Sequence, residues 1–543
     1  MVFARRSTTL LAAIIASCAM VLSLTACTSD NKTVVDGQTT VTSNSAGGVA
    51  VFTPSDGITL NQQTPLNKWA KLVPDLAKAL ADAGFKKGDI DHTTSDSLAK
   101  QSRAIQDFVV DHLSNNTTDD SGIAIAPDNM TLLVAPVVEA DASTRQYGDY
   151  ISQNLSTNDA TDGEATSDGE SSEDDSSKDD SSNTESDSTA SDGQAQAVDR
   201  LVSSLKLAKE SGMHVVLLGN SIEGYKPDAF VKFSDAQTIG KLQAEKMVSK
   251  LKLDKASKDN PKYIEVLLPY TAVDEKGNAN DSTFAQEAFR GIWQVLGSYY
   301  QKGVVESPSG TLDGKSTEND WQAVAYDAAK EGSTAKVLDK RLAKTDGQST
   351  LTRIDGIITM NDYIASEVVK ELDDLGYTGS AADINPQITI SGIVGNITGK
   401  KDLSRDAVPD PIKSPENDNA NDSSSSDDDA DEDTSASDKD RDSQWPLVTG
   451  YGAYVSNIPS IVNGKQWMTG MEDRQTIATD IAQACAKLNK DEALNSMPSI
   501  RNSEVGGVKK IPTISEPLLA VSASNLKSAL IDPGYISLAD AGL

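Results

Sequence analysis

The chain has 543 residues, 49 Lys plus Arg against 81 Asp plus Glu, and a formal net charge of −32. That length allows roughly two to four domains, and so negative a chain argues against nucleic acid as a partner, because phosphate binding needs a basic face. Hydrophobic residues make up 38% and aromatics 5%, low enough to predict that part of the chain stays unfolded.

At the N-terminus, Arg5 and Arg6 precede an apolar run from Leu10 to Leu24, then Thr25-Ala26-Cys27. A basic start, a short apolar stretch and small residues before a cysteine resemble a bacterial lipobox. The expectation is a signal peptide over residues 1–26, cleavage before Cys27 and lipid on its sulfur. A plain signal peptide or signal anchor is the alternative. Residues 27–48 then form a tether reaching about 25 Å from the outer face of the cytoplasmic membrane. No other apolar run is long enough to span a bilayer. Cys18 leaves with the signal and Cys27 is acylated, so Cys485 alone remains. It lies in a helical apolar pattern and reads as a core thiol.

Gly48–Phe52 reads as a buried strand, and Trp69, Leu72, Leu76 and Leu80 recur at helical spacing up to Gly84. A helix over residues 97–113 follows, then apolar runs at 122–126 and 131–137. Helix 198–211 leads into strand 214–218. Strand 230–233, helix 236–251, strand 263–268 and helix 284–301 continue the rhythm. Strand 354–360, helix 363–375, strand 446–450 and helix 474–488 complete it. Alternation at this spacing predicts parallel sheets with helices on both faces, and the number of units predicts two doubly wound lobes.

Two acidic tracts interrupt the rhythm. Residues 159–192 hold thirteen acidic side chains and one Lys, net −12; residues 410–443 hold thirteen acidic and three basic, net −10. Neither has enough apolar surface to offset its ordering entropy, so both are expected to be disordered insertions, over 154–196 and 400–443. They carry most of the charge. The calcium-loop spacing is absent from both.

Catalytic signals are weak. The three histidines, His92, His112 and His214, are scattered, so no metal site is expected. Gly219–Gly224 misses the nucleophile-elbow spacing by one position, and Gly450-Tyr451-Gly452 lacks the third glycine of a dinucleotide fingerprint. No catalytic residue, no cofactor and no enzyme activity are expected.

Several stretches carry a resemblance. They are Lys68-Trp69 ahead of Gly84-Phe85, F-V-K-F-S-D-A-Q-T-I-G-K-L-Q-A-E from Phe230, and T-M-N-D-Y-I-A-S from Thr359. P-L-V-T-G-Y-G-A from Pro446, N-G-K-Q-W-M-T from Asn463 and I-P-T-I-S-E-P-L-L-A-V-S-A-S-N-L near the C-terminus complete the set. In order and spacing they are similar to the bacterial sugar-binding lipoproteins of ABC transporters, of the type I periplasmic-binding protein fold and its xylose/multiple-sugar branch. The match covers about residues 49–137, 198–375 and 445–543, and both acidic tracts fall outside it.

The resemblance implies an α/β fold of two lobes joined by a three-crossover hinge. The first lobe would take residues 49–232 and 472–505, the second 233–471 and 506–543. It further implies a monomer that encloses a sugar or similar polar solute between the lobes and hands it to permease subunits. A sensory or non-transport lipoprotein on the same fold is the alternative. The implied ligand-binding set is Trp69, Asp235, Asp281, Trp321, Asn361, Asp362 and Tyr451. Flat aromatic faces suit the C–H surface of a sugar, and carboxylates and amides suit its hydroxyls. Trp69 is equally readable as a core aromatic, and Asp235 and Asp362 as helix caps. Where the family carries an Asp-Arg pair after strand 214–218, this chain has Gly219-Asn220, which removes a bidentate donor.

Overall fold

The computed structural model describes residues 46–55, 65–115, 125–138, 144–157, 185–273, 280–343, 351–381 and 444–543. The expected signal peptide, the Cys27 anchor and nearly all of the tether lie outside these residues. So do 158–184 and 382–443, with most of both acidic tracts.

The first lobe begins at β1 (Gly48–Pro54), whose alternate side chains enter two cores. Val49 and Val51 pack beside α1 (Trp69–Asp82) and α8 (Arg474–Leu488); Ala50 and Phe52 pack beside α2 (Leu98–Asn115) and α3 (Glu185–Glu210). A central strand with helices on both faces has no solvent side, which explains its unbroken apolar run. β2 (Ile90–Ser95), β3 (Met130–Val134), β4 (His214–Leu218) and β5 (Ala229–Lys232) pair in parallel, in the order β2-β1-β3-β4-β5. The antiparallel pair β11 (Ile500–Val505) and β12 (Val508–Ser515) extends that edge, β12 lying parallel to β5.

The second lobe repeats the plan. β6 (Lys262–Val266), β7 (Val305–Glu306), β8 (Gly356–Ile358), β9 (Leu447–Tyr451) and β10 (Met468–Met471) run parallel in the order β7-β6-β8-β9-β10. Antiparallel β13 (Leu519–Ser522) closes the edge. Helix α4 (Ala236–Leu251) packs on α5 (Thr283–Gln301), and α6 (Ser333–Arg341) on α7 (Asp362–Leu375). Both sheets thus have one doubly wound order, whose ligand crevice lies beyond the carboxyl ends of the strands. The chain passes between sheets three times, after β5, β10 and β12.

Three expectations change. The second lobe's tail was expected to start at residue 506, but β12 hydrogen-bonds to β5 in the first sheet, so the third crossover follows Ser515. The helix expected from 198 starts at Glu185, inside the acidic tract. Its later turns are anchored by buried Val198, Leu201 and Leu205, and adding turns to an existing helix is far easier than nucleating one. At the other end of that tract, Asn154-Leu155 pairs in parallel with Ser221-Ile222. β2 escaped the sequence reading because it is a polar edge strand, with Asp91, His92, Thr93 and Thr94 exposed and no apolar alternation.

Cys485 is buried and unpaired, and burial pushes its thiol well up, as a core role requires. Helices α4 and α5 approach through Gly240 and Gly291. A Cβ at Gly291 would lie inside contact distance of the Gln237 carbonyl oxygen, and one at Gly240 would meet that of Ala288. Backbone cannot yield as a flexible side chain does. Gly291→Ala is therefore expected to cost about 1–3 kcal/mol, read as a lowered midpoint in urea. An unchanged midpoint would mean the helices separate freely.

Candidate functional site

The carboxyl ends of the two sheets meet. In the first lobe, β4 ends at Leu218 and leads to Gly219-Asn220, and β5 ends at Lys232 and leads to Phe233-Ser234. Trp69 opens α1 beside them. It is 3% exposed, with the Tyr150 ring 5.1 Å away at 68° and the Phe233 ring 5.6 Å away at 90°. Its backbone N–H donates to Asp149 Oδ2 at 3.1 Å, and Lys68 Nζ pairs with Asp149 Oδ1 at 2.7 Å. Asp235 caps α4, accepting from the Thr238 backbone N–H and hydroxyl at 2.7 and 2.6 Å, and pairs with Lys232 at 2.8 Å. Burial pushes its carboxyl up, but the bonds from Lys232 and Thr238 outweigh that and hold it below the usual range.

In the second lobe, Trp321 lies edge-on to Tyr270, 5.1 Å between rings. The Tyr270 hydroxyl donates to the Asn280 carbonyl at 3.1 Å, which places Asp281 in the same loop. Asp281 itself is exposed and accepts from the Thr283 N–H and hydroxyl at the start of α5. Asn361, fully buried, caps α7 through its side-chain oxygen, which accepts from the Ile364 N–H at 2.9 Å.

Asp362 is committed internally. It accepts from Gln466 Nε2 at 2.7 Å, Thr469 Oγ1 at 2.9 Å and the Tyr454 N–H at 2.9 Å. Burial pushes its carboxyl up to about 6, against the lowering pull of those bonds. The helix cap is thus Asn361, one residue before Asp362. Tyr451 is also buried. Its hydroxyl and that of Ser234 both donate to Glu472 Oε1, joining the first and second crossovers at one carboxylate. Burial raises the Glu472 carboxyl, against the lowering pull of Ser234 and Tyr451. The structure therefore gathers Asn361, Asp362 and Tyr451 at the ends of β8 and β9. Trp69 lies beside Phe233 in the first lobe, Asp235 caps α4 just past the first crossover in the second, and Trp321 lies with the Asp281 loop in the second.

The sequence reading missed the segment from Thr144 to Leu155. Tyr147 is 1% exposed, yet it belongs to the core of the second lobe, with rings 4.6 Å from Phe284 and 6.2 Å from Tyr451. Asn361 Nδ2 donates to Gln146 Oε1 at 3.1 Å, and the Tyr454 hydroxyl to the Gln146 carbonyl at 2.6 Å. Both partners follow directly on left-handed non-glycine residues, Met360 (φ 68°) and Ala453 (φ 50°). Strained backbone of this kind clusters where loops are held for a purpose. The available signal was two tyrosines, Tyr147 and Tyr150, in a polar stretch of an aromatic-poor chain.

Among the described residues, no group of three or more His, Cys, Asp or Glu side chains could hold a metal ion. None of their helices is long and apolar enough to cross a membrane.

The solved structures most similar to the chain include solute-binding proteins of ABC transporters. One from Clostridium phytofermentans with bound β-D-glucose is 16% identical, with 91% of this chain and 99% of that one covered and a TM-score of 0.43. A carbohydrate transporter solute-binding protein from Chloroflexus aurantiacus in complex with D-glucose is 18% identical, with 92% and 98% covered and a TM-score of 0.42. A periplasmic ribose ABC transporter protein from Conexibacter woesei is 14% identical, with 90% and 96% covered and a TM-score of 0.42. No family model matches the chain, and no curated relative does. The two-lobed architecture rests on the strand order and register given above.

Proposed function

We propose that this protein is a lipid-anchored solute-binding protein, which captures a sugar or similar small polar solute between its lobes and delivers it to an ABC permease. One observation carries the reading. Two sheets of the same doubly wound order meet at their carboxyl ends and are joined by three crossovers. A ligand touching both faces of such a crevice stabilises the closed form, so capture becomes a shift in a hinge equilibrium. In this reading Trp69 serves from the first lobe, and Asp235, Asn361, Trp321 and Asp281 from the second. Asp362 and Tyr451 hold the second-lobe loops and the crossovers in place. The protein acts as a monomer on the outer face of the cytoplasmic membrane, without cofactor or catalysis.

The test is calorimetric titration of the full chain in detergent with pentoses, hexoses, oligosaccharides and amino acids. One solute should bind saturably and raise the unfolding temperature, and Asn361→Ala should weaken that binding with the fold intact. Silence across the whole panel overturns the reading.

A further inference from the structure

We propose that residues 144–155 are a built-in occupant of the cleft, a strap that holds the lobes together without solute and that any solute must displace. The strap rises from the long connection between β3 and α3 and is tied first to its own lobe. The Asp149 N–H donates to the Asn67 carbonyl at 2.8 Å, and the Tyr150 hydroxyl to the Lys68 carbonyl at 2.6 Å. The Gln153 N–H donates to Asn220 Oδ1 at 3.0 Å, and the Ser221 N–H to the Gln153 carbonyl at 2.9 Å. Then it crosses. Gln146 is gripped by Asn361 and Tyr454, and Tyr147 sits in the second lobe's core.

These are the contacts a captured solute would make. Trp69, buried with Tyr150 and Phe233 edge-to-face beside it, offers no open ring face. The Asn361 amide nitrogen already donates to the strap, and its amide oxygen already accepts from the Ile364 N–H of α7. Two polar atoms close to the strap, and outside it, are buried with no hydrogen-bond partner: Asn67 Nδ2 and Glu472 Oε2. A segment tuned only for stability would satisfy them. Polar groups left over in the crevice fit a place that a hydroxylated solute takes once the strap withdraws. The apparent affinity of a solute is then its intrinsic affinity multiplied by the fraction of molecules with the strap released.

The competition rests on the solute-binding reading above; the bridging does not, and the experiment separates them. Spin labels at Lys71→Cys in the first lobe and Lys336→Cys in the second, both exposed, report the distance across the cleft, while buried Cys485 stays unlabelled. Without sugar, the otherwise unaltered chain should give one narrow, short distance. The mild pair Gln146→Ala/Tyr454→Phe, and separately Tyr147→Ala, should shift it to longer and broader values. An identical distribution in all three overturns the proposal. With D-glucose, D-xylose and D-ribose added, the released variants should bind one of them roughly tenfold more tightly or better. Equal affinity in parent and variants overturns the competition. Binding by none of the proteins defeats the solute reading, and the sugar-free distances still decide the strap.

Discussion

Asp362→Ala should destabilise the second lobe by about 3 kcal/mol or more, since it strands buried donors of Gln466, Thr469 and the Tyr454 backbone at once. Gln466 and Thr469 have secondary acceptors in the Met468 and Gly470 carbonyls, but the Tyr454 N–H does not share that relief. The same carboxyl also sets a pH dependence. Its pKa is raised from 3.8 to about 6 by burial, so between those values the folded state holds a proton that the unfolded chain has released. Stability from this group is therefore fully present below about pH 4 and is lost as pH rises through 6. The loss is about 3 kcal/mol at 1.36 kcal/mol per pK unit. Urea titrations at several pH values, on the parent and on Asp362→Asn, isolate it as the difference between two slopes. Parallel stability curves for the two proteins would show that the carboxylate is solvated in the folded state.

Arg341→Met should cost about 3–5 kcal/mol, because it leaves Glu265 charged in the core with its cation gone. Glu265 lies on β6 with no exposed side-chain surface, and Arg341 reaches it from α6 at 3.4 Å. The guanidinium also donates to the Val266 carbonyl at 2.5 Å and the Val324 carbonyl at 2.9 Å, so one side chain ties α6 to two other segments. Ser307 Oγ and the Ser309 N–H donate to the other carboxylate oxygen at 2.7 and 2.8 Å. Methionine keeps much of the volume, which makes the change chiefly electrostatic. Glu265→Gln/Arg341→Met should recover part of the loss, since no unpaired charge remains buried. Equal stability of the parent and the single variant, by denaturant unfolding, would show that water reaches the pair.

The rhythm of strands and helices was legible because the central strands are apolar on both faces and the helices carry their apolar residues at i, i+3 and i+4. Helices α4 and α8 coincide with the ranges read from sequence, and α5 and α7 begin one residue earlier. What was not legible is polar or long-range. β2 shows the period of neither element, and β12 pairs with β5 across nearly three hundred residues of chain. The candidate site divides in the same way. Asp235 was readable as a helix cap and is one. Nothing local could reveal that Asp362 answers to Gln466 and Thr469, or that a tyrosine next to an acidic tract would sit in the core of the other lobe.

Composition and periodicity by themselves determined that this chain builds parallel α/β lobes, that Cys485 is a core thiol and that most of the net charge is concentrated in two acidic tracts. These are local properties, fixed by apolar spacing and by the solvation of carboxylates. Only the tertiary structure decided where the third crossover falls, which carboxyls are spent on internal hydrogen bonds and that Tyr147 packs in the core of the second lobe. Each of those depends on which distant groups become neighbours when water is excluded. A buried donor takes whatever acceptor the fold brings within 3 Å, and no sequence interval records that distance.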